Sequence, residues 1–169
     1  GEWGYPEWKT AFLNQSSCVI NIARNWSKSI IYWNLALDEN GGPDYYYDLN
    51  QHHDSTNRGL ITINTDGTWE KNVDYYTLGH VSKFVDPGAY RIDSTSLDNN
   101  VETVAFKNPD GSKVLVLANL VAHAQTIKIL WGNQSVTYSM PAESMITMKW
   151  EGTQAGSAPA PIWYNNLES

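Results

Sequence analysis

The sequence predicts a two-part fold, an α/β segment up to Pro87 followed by an antiparallel all-β domain. Three observations carry this expectation. Apolar residues recur at mixed three- and four-residue spacings across residues 6–27, as in a helix packed on one face. A nearly continuous apolar run at 29–37 reads as an interior strand of a parallel sheet, buried on both sides. From Ala89 onward the apolar period drops to two, in six short stretches separated by turn signals, as in an antiparallel sandwich or barrel.

The elements follow in order. Pro6 suits a helix start, and Trp8, Phe12, Val19, Ile22 and Trp26 supply the face expected to pack. Strand 29–37 ends in Asp38-Glu39-Asn40-Gly41-Gly42-Pro43, a loop by composition, and a polar, aromatic loop then runs from Tyr45 to Asn57. Gly59–Ile63, a turn at Asp66-Gly67 and Thr68-Trp69 make a short hairpin. Val73–Phe84 reads as a helix with Tyr76, Leu78, Val81 and Phe84 available for packing, stopped by Pro87-Gly88. Strands are expected at 89–94, 101–106, 113–119, 125–130, 135–140 and 144–150, with turns at Asn108-Pro109-Asp110-Gly111 and Trp131-Gly132-Asn133-Gln134. Residues 151–169 are a linker or tail by composition.

Bulk properties exclude several classes. The chain has 169 residues, 41% of them hydrophobic and 17% charged, which favours a globular core over disorder. A net charge of −7 argues against nucleic acid or an anionic membrane as partner. No apolar run reaches the roughly 20 residues of a membrane span. The single Cys18 rules out an internal disulfide and any multi-cysteine zinc site, and it reads as a small core residue. Eight Trp and ten Tyr are a heavy aromatic load. Such rings stack on the apolar faces of sugars, although any single ring more often fills a core.

Beyond these patterns, Asn25-Trp26-Ser27-Lys28-Ser29 followed by Trp33-Asn34-Leu35-Ala36-Leu37-Asp38-Glu39-Asn40-Gly41-Gly42-Pro43 resembles the last barrel strand of glycoside hydrolase family 30. Arg58-Gly59-Leu60-Ile61-Thr62-Ile63, then Tyr76-Thr77-Leu78-Gly79-His80-Val81-Ser82-Lys83-Phe84, resemble that family's next landmarks, in the same order. Asn108-Pro109-Asp110-Gly111-Ser112 and Val114-Leu115-Val116-Leu117-Ala118-Asn119 resemble the sandwich beside its barrel. The form of the first motif is most similar to the branch holding glucosylceramidases and β-1,6-glucanases. The resemblance implies that residues 1–87 are the last helix–strand–helix part of a (β/α)₈ TIM barrel, that residues 88–150 are a β-sandwich, and that 151–169 are the tail. It implies a retaining β-glycosidase using two glutamates, held roughly 5 Å apart across the scissile bond. Both glutamates are expected upstream of Gly1, so the chain reads as a processed or cut piece, inactive alone and without a cofactor. Secretion or a periplasmic location goes with the family.

Candidate residues can then be weighed. Glu2 is the carboxylate nearest the implied nucleophile, but it falls several residues too late and reads as a loop residue. Trp33 alone reads as core; the resemblance makes it the indole lining the pocket of the terminal sugar, with Asn34 beside it. Tyr45 and Tyr46, with Tyr47, are expected to contact glycan beyond that sugar. Asp38 and Glu39 look like an acid/base pair, yet adjacent side chains point apart and a Gly-Gly-Pro turn follows, so loop-shaping hydrogen bonds are expected. His52-His53-Asp54 reads as a solvated loop rather than a metal site, and His80 as packing between barrel and sandwich.

Two functions remain open. One is the C-terminal portion of a glycosidase acting on β-glucosides, glucosylceramide or β-1,6-glucan. The other is a non-catalytic carbohydrate-binding or interaction module built on the sandwich. The expected partners are a carbohydrate and either the missing barrel portion or another copy of the chain, because an interior strand at 29–37 has no neighbours of its own here.

Overall fold

The computed structural model describes residues 8–43, 58–97 and 100–156. Helix α1 spans Trp8–Arg24, and β1 (Ala36–Asp38), β2 (Ile61–Ile63) and β3 (Trp69–Lys71) form a small sheet in that order. Strand β1 pairs with β2 in parallel, and β2 pairs with β3 across the Asp66-Gly67 turn. Helix α2 (Val73–Ser82) leads into β4 (Tyr90–Ile92), β5 (Val101–Lys107), β6 (Lys113–Asn119), β7 (Gln125–Trp131), β8 (Gln134–Met140) and β9 (Ser144–Trp150). Strands β4-β5-β6-β9 make one antiparallel sheet, and β7-β8 make a separate ribbon.

The four-stranded sheet is the centre of the molecule. Along β5 and β6 alternate side chains point to opposite faces. Val104, Phe106, Val114, Val116 and Ala118 meet Val19, Ile20 and Ala23 of α1. Val101, Ala105, Leu115 and Leu117 meet Ile127 and Met140 of the ribbon. All seven residues of β6 are therefore buried, which is why its sequence is apolar without alternation. The outcome is a β-sandwich whose larger sheet carries a helix on its outer face. Because α1 shares its core with β5, β6 and β9, the segment before Pro87 and the sandwich pack as one body.

Two buried asparagines staple the sandwich. Asn108 donates from Nδ2 to the Phe84 carbonyl at 3.0 Å and accepts the Asp86 amide at 3.0 Å, tying the Asn108–Ser112 turn to the end of α2. Asn119 donates to the carbonyls of His123 (2.9 Å) and Pro141 (2.7 Å), joining the loops on either side of the ribbon. Each buried side-chain amide is itself satisfied by these backbone partners.

Three expectations need correction. Strand 29–37 shortens to Ala36–Asp38. Among the described strands it pairs with β2, and on the upstream run the Asn34 and Leu35 carbonyls accept from the Leu60 and Ile61 amides at 3.3 and 3.1 Å. A strand buried on both faces needs layers on both, and here Ile31, Trp33 and Leu35 are 89%, 88% and 74% exposed. On α1 the buried stripe is Ala11, Gln15, Ser16, Val19, Ile20 and Ala23, with Phe12 packed beside it as expected, while Trp8 and Trp26 stay exposed. Small side chains let the helix approach the sheet closely. Trp8 instead sits edge-on to Tyr76, and Trp26, at positive φ past the helix end, stacks under the Arg91 guanidinium at 3.8 Å. On α2 the buried residues are Val73, Asp74 and Thr77; Val81 and Phe84 pack against the core as expected, while Tyr76 faces out. Cys18 is half-buried.

The tail begins ordered. Gly132 turns the β7-β8 ribbon at φ 62°, and a Cβ there would stand 2.2 Å from the Ala155 carbonyl oxygen, while the Asn133 amide donates to that same oxygen at 2.9 Å. Gly132→Ala is therefore expected to cost about 1–2 kcal/mol and to release residues 152–156. A lowered urea midpoint with faster hydrogen exchange at Asn133 checks it.

Candidate functional site

The segment carrying Trp33 and Asn34 lies between α1 and β1. Trp33 is exposed, and it shares its side of the chain with Ile31 and Leu35. Tyr32, immediately before it, turns the other way and donates its hydroxyl to Gln15 Oε1 of α1 at 3.1 Å. Burial pushes the Tyr32 phenol well above its ordinary pKa, and the nearby Asp74 carboxylate adds to the rise. Asp74, buried on α2, receives a two-pronged ion pair from Arg58, through Nε to Oδ2 and through Nη2 to Oδ1 at 3.3 Å. Gly59, next to Arg58, passes so close to β1 that a Cβ would stand 3.0 Å from the Leu37 amide and the Ala36 Cα. Glycine is required there.

Asp38 and Glu39 shape the turn, as expected from their adjacency. Asp38 Oδ1 accepts the amides of Asn40 and Gly42, both at 2.8 Å. Glu39 points across to the hairpin, where it accepts the Thr65 hydroxyl and the Thr65 amide, the latter at 3.1 Å. The Thr65 hydroxyl holds Glu39 below the usual carboxylate range. Both carboxylates are committed to the loop, in different directions.

Glu2, Tyr45, Tyr46, Tyr47 and the His52-His53-Asp54 triplet lie outside the described residues. Among the described residues no group of three His, Cys, Asp or Glu converges to hold a metal ion, and no helix is long and apolar enough to cross a membrane. Two shallow grooves of about 460 Å³ each lie along the hairpin and α2, one lined by Ile61, Ile63, Trp69, Lys71 and Tyr75. Neither includes Trp33. Ile61 and Ile63 pair with Ala36 and Asp38, so that groove lies beside β1, downstream of Trp33. Residue patterns did not single out Trp69, although its 61% exposure makes it an open aromatic surface; a hairpin strand end gives no cue to which side is covered.

His80 packs between α2 and the sandwich, as expected. Its Nδ1 lies 2.9 Å from Thr147 Oγ1, whose hydroxyl donates to the His80 carbonyl at 3.1 Å. Burial lowers the His80 pKa below its ordinary 6.5. The unfolded chain therefore takes up a proton at a higher pH than the folded one. This contribution to stability is complete above about pH 6.5 and is lost as pH falls through the folded value. His80→Gln is expected to flatten that part of the stability profile, seen as a smaller wild-type-minus-variant difference in urea midpoint at pH 5 than at pH 7.5.

Sequence and fold now converge on carbohydrate-active enzymes. Residues 88–148 match the glycosyl hydrolase family 30 beta sandwich domain. Residues 88–148 belong to that family's C-terminal sandwich domain. The chain is 34% identical over 130 residues to putative glucosylceramidase 1 of Caenorhabditis elegans, covering 74% of this chain and 24% of that protein. It is 28% identical over 130 residues to endo-1,6-beta-D-glucanase neg1 of Aspergillus fumigatus, covering 73% and 26% respectively. Among solved structures, SrfJ from Salmonella typhimurium superposes with a TM-score of 0.78 at 26% identity, over 86% of this chain and 32% of that one. An endo-β1,6-glucanase superposes with a TM-score of 0.71 at 29% identity, over 83% and 31%. The chain thus spans about a quarter of the length of these curated relatives.

Proposed function

We propose that this chain is the C-terminal portion of a retaining β-glycosidase acting on β-glucosidic bonds, in a β-glucoside, glucosylceramide or β-1,6-glucan. In this reading residues 1–87 complete a TIM barrel, residues 88–150 form the sandwich at its side and 151–169 are the tail. Trp33 and Asn34 hold the terminal sugar, Tyr45 and Tyr46 contact glycan beyond it, and the acid/base and nucleophilic glutamates come from the polypeptide upstream. The parent enzyme works outside the cytoplasm, in a secreted or periplasmic setting.

The observation that carries this reading is the apolar row Ile31, Trp33 and Leu35, turned away from the core on a segment with one strand neighbour among the described residues. A barrel strand with its other neighbour supplied from upstream has this appearance, and the C-terminal end of such a strand is where barrel active sites assemble. The family resemblance sets Trp33 on such a strand, and its exposed indole offers a stacking face for a sugar ring.

The test is reconstitution. The chain alone is expected to leave β-glucosides intact, and the chain joined to its upstream polypeptide is expected to hydrolyse them with retention at the anomeric carbon. Saccharide binding by residues 88–156 alone in calorimetry, with no hydrolysis by the joined polypeptide, would point instead to a binding module and sink this reading.

A further inference from the structure

Nothing in the regular secondary structure sets the direction of Trp33. Residues 29–35 precede β1 and lack a ladder of their own, so the indole is aimed by the anchors on either side of it. Before it stands Tyr32, whose hydroxyl donates to Gln15 at 3.1 Å. After it stand Asn34 and Leu35, whose carbonyls accept from Leu60 and Ile61 at 3.3 and 3.1 Å. The Leu60–Ile61 stretch is in turn fixed by its neighbours: Arg58 pairs with Asp74, and Asn72 donates to the Gly59 carbonyl at 3.0 Å and to Thr62 Oγ1 at 2.9 Å.

Both anchors therefore lead to one place. Asp74 is 1% exposed on α2 and grips Arg58, and Thr77, one turn along the same helix, is fully buried. Tyr32 lies close enough to Asp74 that the carboxylate opposes its ionisation, and the Thr77 hydroxyl donates to the Asp74 carbonyl at 3.3 Å. A buried polar cluster of this kind contributes less to stability than apolar packing of the same volume, and its attested use is to select one geometry. Arg58 also stands at the chain position where the 44–57 segment, with Tyr45 and Tyr46, rejoins the described fold.

We propose that Tyr32 and Asp74 are positioning residues for sugar binding: the Gln15–Tyr32 hydrogen bond and the Arg58–Asp74 pair clamp the chain on both sides of Trp33 and hold its indole at one angle. The clamp rests on the reading of Trp33 as a sugar platform, and its effect on Trp33 can be measured independently of that reading.

The experiment uses the full-length polypeptide with 5-fluorotryptophan incorporated, the Trp33 resonance being assigned by its loss in Trp33→Phe. In Tyr32→Phe the ring stays and only the hydroxyl goes. The expected result is a shifted or broadened Trp33 ¹⁹F signal with the Trp131 and Trp150 signals unchanged, and a rise in KM of roughly five-fold, the scale of one hydrogen bond, with kcat little altered. Asp74→Asn serves as the second variant and is expected to move the same signal. An unmoved Trp33 signal in both variants overturns the clamp. So does a moved signal with KM unchanged in Tyr32→Phe while Trp33→Ala raises KM. If the signal moves but Trp33→Ala leaves KM unchanged, the clamp stands as a structural fact and the sugar-platform reading fails instead.

Discussion

Asp74→Ala is expected to destabilise the protein by about 3–5 kcal/mol, the scale for removing one partner of a buried ion pair. The Asp74 side chain is 2% exposed and that of Arg58 is 18% exposed, so little water is available to replace the lost carboxylate. The pair is also two-pronged, which adds directional hydrogen bonds to the charge attraction. Its loss frees the stretch that pairs β2 with β1, so damage to the hairpin should accompany the loss of stability. Urea unfolding of the full-length polypeptide measures it, as a lower midpoint at an unchanged slope. A change below about 1 kcal/mol would mean that the pair behaves as a solvated surface contact.

The fold was legible where one local rule decided the outcome. Strands β5 to β9 carry period-two alternation or full burial between strong turn signals, and Asn108-Pro109-Asp110-Gly111 and Trp131-Gly132-Asn133-Gln134 turn the chain at the expected places. Helix α1 was legible as a helix, but its buried face was not. Hydrophobic size favoured Trp8 and Trp26, whereas close approach to the sheet favoured Ala11, Ser16 and Ala23. Run 29–37 failed as an interior strand because burial on two faces depends on layers that composition alone cannot place. The turn roles of Asp38 and Glu39 followed from adjacency and the Gly-Gly-Pro that follows them. The Tyr32–Asp74–Arg58 cluster was not legible, because its members lie 16 to 42 positions apart with no spacing rule, and only the fold brings them together.

The sharpest expectation at the candidate site concerns Trp33. Its indole is 88% exposed, so truncation opens no cavity and stability should change little. Substrate handling should change a great deal. A sugar whose platform is missing is held out of line with the catalytic groups, and a displacement of about 1 Å costs roughly 10²-fold in rate. Trp69 is the matched control, an exposed indole lining a groove that does not include Trp33.

The decisive measurement is kcat/KM of the full-length polypeptide on a β-glucosidic substrate, for wild type, Trp33→Ala and Trp69→Ala, with unfolding midpoints recorded alongside. The account predicts a loss of roughly 10²-fold, about 2.7 kcal/mol of transition-state stabilisation, for Trp33→Ala and near wild-type activity for Trp69→Ala. Equal activity in all three proteins, or no turnover of β-glucosides by the wild type, would contradict it.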